Sequence, residues 1–136
     1  MPFVIDNSVV CGWFIDGQAS AYSDAVADLL LDDRAVAPAL LQLEIANVLR
    51  TACRRGRLIA REAHAVIEQL EALPIEFDRA TPGPAAILSL ALRHDLSSYD
   101  AAYLELALRL QLPIATVDEA LAEAARAAGV GVVRVE

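Results

Sequence analysis

The stretch FVIDNSVV, Phe3 to Val10, decides how the rest of the chain is read. Phe3, Val4 and Ile5 are aromatic and β-branched, the residues a buried strand favours. Asp6 ends that run with a carboxylate, which strand interiors disfavour. Asn7 and Ser8 follow, both at home in turns and helix caps. A carboxylate where an apolar strand stops either caps the next helix or serves a site at the strand's end.

Outward from this stretch, short apolar segments alternate with amphipathic ones. Residues 3–6, 35–38 (AVAP), 74–77 (PIEF), 113–116 (PIAT) and 130–135 (VGVVRV) read as strands. Residues 8–15 fit a short helix or a turn. Apolar residues at helical spacing predict helices over 20–31, 39–55, 60–73, 83–94, 97–111 and 118–129. The strands are apolar without clear alternation, as in a parallel sheet covered on both faces. The pattern predicts an α/β fold, a three-layer α/β/α sandwich around a central parallel sheet of about five strands.

The chain has 136 residues, 57% of them hydrophobic, which suits one domain with a substantial core. No apolar run approaches the roughly 18 residues of a membrane span, and the N-terminus lacks the layout of a signal peptide. Cys11 and Cys53 have no metal-type spacing and read as thiols of a reducing compartment, with the cytoplasm as default. The net charge of −8 argues against a broad basic face for nucleic acid, unless bound cations neutralise several carboxylates. All 11 basic residues are arginine, so no mechanism that needs a lysine is available.

Four acids stand out. Asp6 and Asp118 follow strands, where ligands gather in open parallel sheets. Asp100 lies in the first turn of its helix. Glu44 lies between Leu43 and Ile45, near the core, where an unpaired carboxylate is costly. Each Asp also has a plain reading as a cap: Asp6 before 8–15, Asp118 before EALAEAA, and Asp100 in the capping pattern Ser97-Ser98-Tyr99-Asp100. Taken together, the four form a set of hard oxygen ligands suited to Mg²⁺ or Mn²⁺.

The segments VIDNSVVCGWF, APALLQLEIANVLRTACRRGRL and LSSYDAAYLELALRLQLPIATVDEALAEAARAAGV resemble PIN-domain ribonucleases, and among these the VapC toxins of bacterial toxin–antitoxin pairs. The resemblance spans nearly the whole chain and implies a single PIN domain over 1–136. It implies strand order 3-2-1-4-5, with Asp6 meeting Asp118 across neighbouring strands. It implies a Mg²⁺- or Mn²⁺-dependent ribonuclease in which Asp6 and Asp100 are direct ligands of one or two ions. Glu44 and Asp118 would bind directly or through water, and Ser8 and Thr116 would support them. It also implies an RNA substrate, a VapB-like antitoxin that blocks the acids with a basic side chain, a homodimer and a cytoplasmic location. Gly12 departs from the resemblance, since many relatives carry a lysine before the tryptophan.

Other readings compete with this one. A PIN fold without activity is an interaction domain, but all four acids are present. Receiver and phosphatase domains also begin with a strand and an aspartate, but the families resembled there use a lysine. Arg50, Arg54, Arg55, Arg57 and Arg61 read either as a solvated helix end that complements the dipole or as phosphate contacts for RNA. His64 and His94 stand apart, with no second ligand near them. Trp13, Tyr99 and Tyr103 read as core or interface. The small residues Ala101, Ala102 and Ala107 suggest close packing of the 97–111 helix in a dimer.

Overall fold

The computed structural model describes residues 1–80 and 82–135. In chain order they form β1 (Phe3–Ile5), α1 (Asn7–Phe14), α2 (Ala21–Leu29), β2 (Ala35–Pro38), α3 (Leu40–Arg54), α4 (Ala60–Glu71) and β3 (Ile75–Asp78). Then follow α5 (Pro84–His94), α6 (Ser98–Leu110), β4 (Ile114–Ala115) and α7 (Glu119–Ala127). The strands pair in the order β3-β2-β1-β4, all parallel. Each crossover carries helices, as parallel pairing requires.

The sheet's middle is fully apolar. Phe3, Val4 and Ile5 are buried, as are Ala35, Val36 and Ala37 on one side and Ile114 and Ala115 on the other. Leu104, Leu106 and Leu121 close the faces. Burying one such leucine stabilises the fold by about 2 kcal/mol.

The expected fifth strand is reduced to a single parallel bridge, Ile114 to Val132. Two hydrogen bonds hold it, Ile114 N to Gly131 O at 2.9 Å and Val133 N to Ile114 O at 2.8 Å. The physical cause is β4, which offers two residues only. Pro113 before it has no N–H, and Thr116 after it turns toward the site. The neighbour order otherwise agrees with 3-2-1-4-5.

Two features of the packing differ from the sequence reading. Ala101 and Ala107 are sealed in the core, where α6 crosses the sheet, so they offer no surface to a second copy. Exposed apolar side chains include Leu88, Leu92 (74% exposed) and Tyr99 on α5 and the start of α6, and also Leu31 and Leu43. Gly12 sits where α1 meets α2. A Cβ there would stand 2.5 Å from Ser23 Oγ and 2.7 Å from Ser23 Cβ. Ser23 is buried and fixed by the α2 cap, its hydroxyl donating to Ser20 O at 3.0 Å and accepting from Ser20 N at 3.1 Å.

Candidate active site

Asp6 leaves β1 and enters α1. Its backbone is still extended, so its carboxylate turns back over the first helical N–H groups. Oδ1 accepts from Ser8 N at 3.1 Å, Val9 N at 3.4 Å and Ser8 Oγ at 2.6 Å. Oδ2 accepts from Thr116 Oγ1 alone, at 2.7 Å. A carboxylate oxygen offers about two acceptor positions. Oδ1 is therefore saturated, while Oδ2 keeps a lone pair free.

The two hydroxyls also tie neighbouring strand ends together. Ser8 Oγ accepts from Val117 N at 3.1 Å, and Thr116 Oγ1 accepts from Asp118 N at 3.0 Å. Each hydroxyl thus spends its proton on Asp6 and its lone pair on the β4–α7 turn. Thr116 is buried, as sequence position alone did not require.

Asp6 itself is only 3% exposed. Burial pushes its carboxyl up from 3.8 to about 6, against the pull of the Ser8, Thr116 and Val9 donors, and the Asp100 charge adds to the rise. Burial likewise raises Asp100, which also feels Asp118, and raises Glu44, which also feels Asp100. Asp100 is therefore the common neighbour of the other three acids. Asp6 reaches Asp118 through the Thr116 hydroxyl, and the acid whose charge it feels is Asp100. None of the four pairs with a cation among the described residues.

Capping and site roles coexist. Asp118 Oδ1 accepts from Leu121 N at 3.2 Å, and Ser97 Oγ accepts from Asp100 N at 3.1 Å. With the Asp6 cap, these hold the backbone of three of the four acids in place.

Tyr103 is a member of the site that its sequence position did not announce. Its ring is 1% exposed, and its hydroxyl donates to Glu44 Oε1 at 2.5 Å. Burial and the Glu44 carboxylate push the phenol far above its usual range, so it remains a donor. A buried tyrosine hydroxyl needs a partner. That rule, applied to Tyr103 three residues after Asp100, was the available signal. The other candidates lie elsewhere. His64 is exposed and His94 half-buried. Trp13 donates to Ser23 O at 2.7 Å, and Tyr99 is exposed.

Among the described residues, no group of three or more His, Cys, Asp or Glu side chains is arranged to hold a metal ion. The donors fit a hard divalent ion that keeps several waters, because all are oxygens and Asp6 Oδ2 has a lone pair to give.

Residues 3–127 match the PIN domain family. Ribonuclease VapC1 of Mycobacterium tuberculosis is 32% identical over 125 residues, covering 89% of each chain. Ribonuclease VapC3 of Pyrobaculum aerophilum is 31% identical over 129 residues, covering 90% of this chain and 94% of the relative. Among solved structures, PAE2754 from Pyrobaculum aerophilum superposes with TM-score 0.66 at 22% identity, covering 91% of this chain and 79% of its own. FitAcB from Neisseria gonorrhoeae superposes with TM-score 0.56 at 20% identity, covering 98% and 97%. This chain belongs to the PIN-domain family, in its VapC-type ribonuclease branch.

Proposed function

We propose that this protein is a Mg²⁺- or Mn²⁺-dependent endoribonuclease and the toxin of a VapBC-type pair, one PIN domain over residues 1–136. The observation that carries the reading is Asp6: a buried carboxylate, held by two hydroxyls, with one lone pair free and Asp100 as its charged neighbour. Four acids around one strand end with no cationic partner repel one another until a cation arrives.

In this reading Asp6 and Asp100 hold the ion directly, and Glu44 and Asp118 hold it directly or through water. When bound, the ion supplies an activated water and charge for the leaving oxygen of an RNA phosphodiester. The chain's own residues do the rest. Ser8 and Thr116, one on each oxygen of Asp6, prevent the carboxylate from rotating. Tyr103 orients Glu44 by donating to Oε1, which leaves Oε2 free. The Ser97 and Asp118 caps fix the first turns that carry Asp100 and Asp118.

The partners follow the same chemistry. A VapB-like antitoxin that lays an arginine across the acids would pair bidentately with them and exclude the cation. A homodimer would cover Leu88, Leu92 and Tyr99. The decisive experiment is RNA cleavage by the purified protein with Mg²⁺, with chelator, and by Asp6→Asn. Cleavage that survives chelation, or that Asp6→Asn retains in full, rejects the reading.

A further inference from the structure

We infer that a polar groove at the far end of α3 is a binding subsite for the backbone of single-stranded RNA, distinct from the acid site. This inference rests on the ribonuclease reading above and names where its substrate is gripped.

The groove lies between the end of α1 and the second half of α3. It has a volume of about 220 Å³, and its polar lining is Gln18, Asn47, Thr51, Arg55 and Arg57. α1 and α3 leave the carboxyl ends of the neighbouring parallel strands β1 and β2. Both helices therefore run from the acids toward the opposite end of the sheet. Glu44, Asn47, Thr51 and Arg55 follow at spacings of three and four, so they share one face of α3. From Glu44 to Arg55 the helix advances about 16 Å at 1.5 Å per residue. A strand with one phosphate at the acids would meet this groove a few nucleotides along.

The arginines suit a phosphate. From Ile45 to Arg61 the chain has no acid and five arginines. Among the described residues no carboxylate lies within ion-pair distance of Arg55 or Arg57. In an acidic protein with 19 carboxylates, that segregation leaves the guanidiniums open to an outside anion. They also stand on an ordered turn. Gly56 N donates to Cys53 O at 3.1 Å and Arg57 N to Ala52 O at 2.9 Å, and Gly56 takes φ +73°. This is the closing geometry of a helix that ends on a left-handed glycine. It sets Arg55 and Arg57 on either side of one bend, where planar forks can grip one phosphate bidentately. A dipole role alone needs a cation near the last turn. It does not need a groove with Asn47 and Gln18, whose amides suit base edges.

The test measures binding without cleavage. Asp6→Asn serves as parent, and a fluorescein-labelled single-stranded RNA of mixed sequence is followed by anisotropy in Mg²⁺ buffer across a salt series. Adding Arg55→Gln and Arg57→Gln should weaken binding about 10-fold and reduce the slope of log affinity against log salt by about 0.7, the value for one phosphate contact on a single strand. Arg93→Gln with Arg126→Gln, the same charge change on exposed arginines elsewhere, should leave both nearly unchanged. An unchanged slope in the groove variant, or an equal loss in the control, overturns the inference. So does displacement of the RNA by polyglutamate as readily as by unlabelled RNA, which would make the groove a docking place for acidic protein. Wild-type cleavage with a groove variant that keeps the parental slope defeats the subsite alone. A slope that falls as expected in the groove variant, while the wild-type protein with Asp6 intact cleaves no RNA in Mg²⁺, defeats the ribonuclease reading of the acids and leaves the subsite standing.

Discussion

The β1–α1 turn and the β4–α7 turn each carry an aspartate that caps the next helix, yet the two carboxylates are held very differently. Each ends a short parallel strand with an aspartate whose side chain caps the next helix. Asp6 lies under the fold, takes four donors and has its carboxyl pushed to about 6. Asp118 is half-buried and its side chain takes one donor, Leu121 N. A cap pattern in sequence marks a helix start. Depth and the hydroxyls on the neighbouring turn decide how tightly the carboxylate is held.

The largest expected contrast is in activity. Asp6→Asn should lower kcat on the order of 10³-fold, because it removes an anionic ligand worth several kcal/mol in the transition state. Single-turnover RNA cleavage, with circular dichroism to show an intact fold, measures it. Equal losses from Asp6→Asn and Asp118→Asn would break the contrast between the two turns.

Next comes stability against pH in metal-free protein. The folded pKa of Asp6 lies above its unfolded value of 3.8, so the folded state binds more protons between about 4 and 6. Stability from this group is therefore full below pH 4 and falls as pH rises through 6, by up to about 3 kcal/mol. Glu44 and Asp100 shift in the same direction. Urea unfolding in chelator at pH 4.5 and 7.5 should show a steeper decline for wild type than for Asp6→Asn. Asn keeps the acceptor on Oδ1, and Thr116 can turn to accept from the new amide. Identical slopes would show that Asp6 is not held protonated by burial.

Asp118→Asn should lower activity about 10- to 100-fold, the usual cost of losing a residue that acts through water. Stability should stay within about 0.5 kcal/mol, since Asn caps as well as Asp. A stability loss larger than the activity loss would make Asp118 a cap only.

The smallest effect is expected at the residue joining α3 to α6. Tyr103→Phe should weaken Mn²⁺ binding by calorimetry about 10-fold, with a stability change of about 1 kcal/mol. In a Glu44→Gln background the same change should have no further effect on Mn²⁺ affinity. Additive losses would mean that Tyr103 acts on the core rather than on Glu44.

The helices were legible in the sequence to within a few residues at each end, because caps and apolar spacing are local. Ser20, Ser97 and Asp118 start helices, and Gly56 ends one. The fifth strand was not legible, because its length depends on how much of β4 is free to pair. Ala101 and Ala107 read as a surface of close approach, but α6 turns them to the sheet; composition does not set a helix's rotation. Asp6 and its Ser8 contact lie two residues apart and could be anticipated. The Tyr103–Glu44 hydrogen bond joins residues 59 apart on crossing helices, beyond any local pattern.

Gly12 and Ser23 constrain how this sequence can drift. Ser23, in the first turn of α2, occupies the space a side chain at 12 would need, and its hydrogen bonds with the Ser20 cap hold it there. Any single replacement of Gly12 must push α2 outward, with overpacking costs of about 1–3 kcal/mol. A lysine at position 12 is therefore not one mutation away in any useful sense. It fits only where the residue at 23 is smaller or α2 stands further away. The two positions are coupled, so a side chain at 12 calls for a smaller residue at 23.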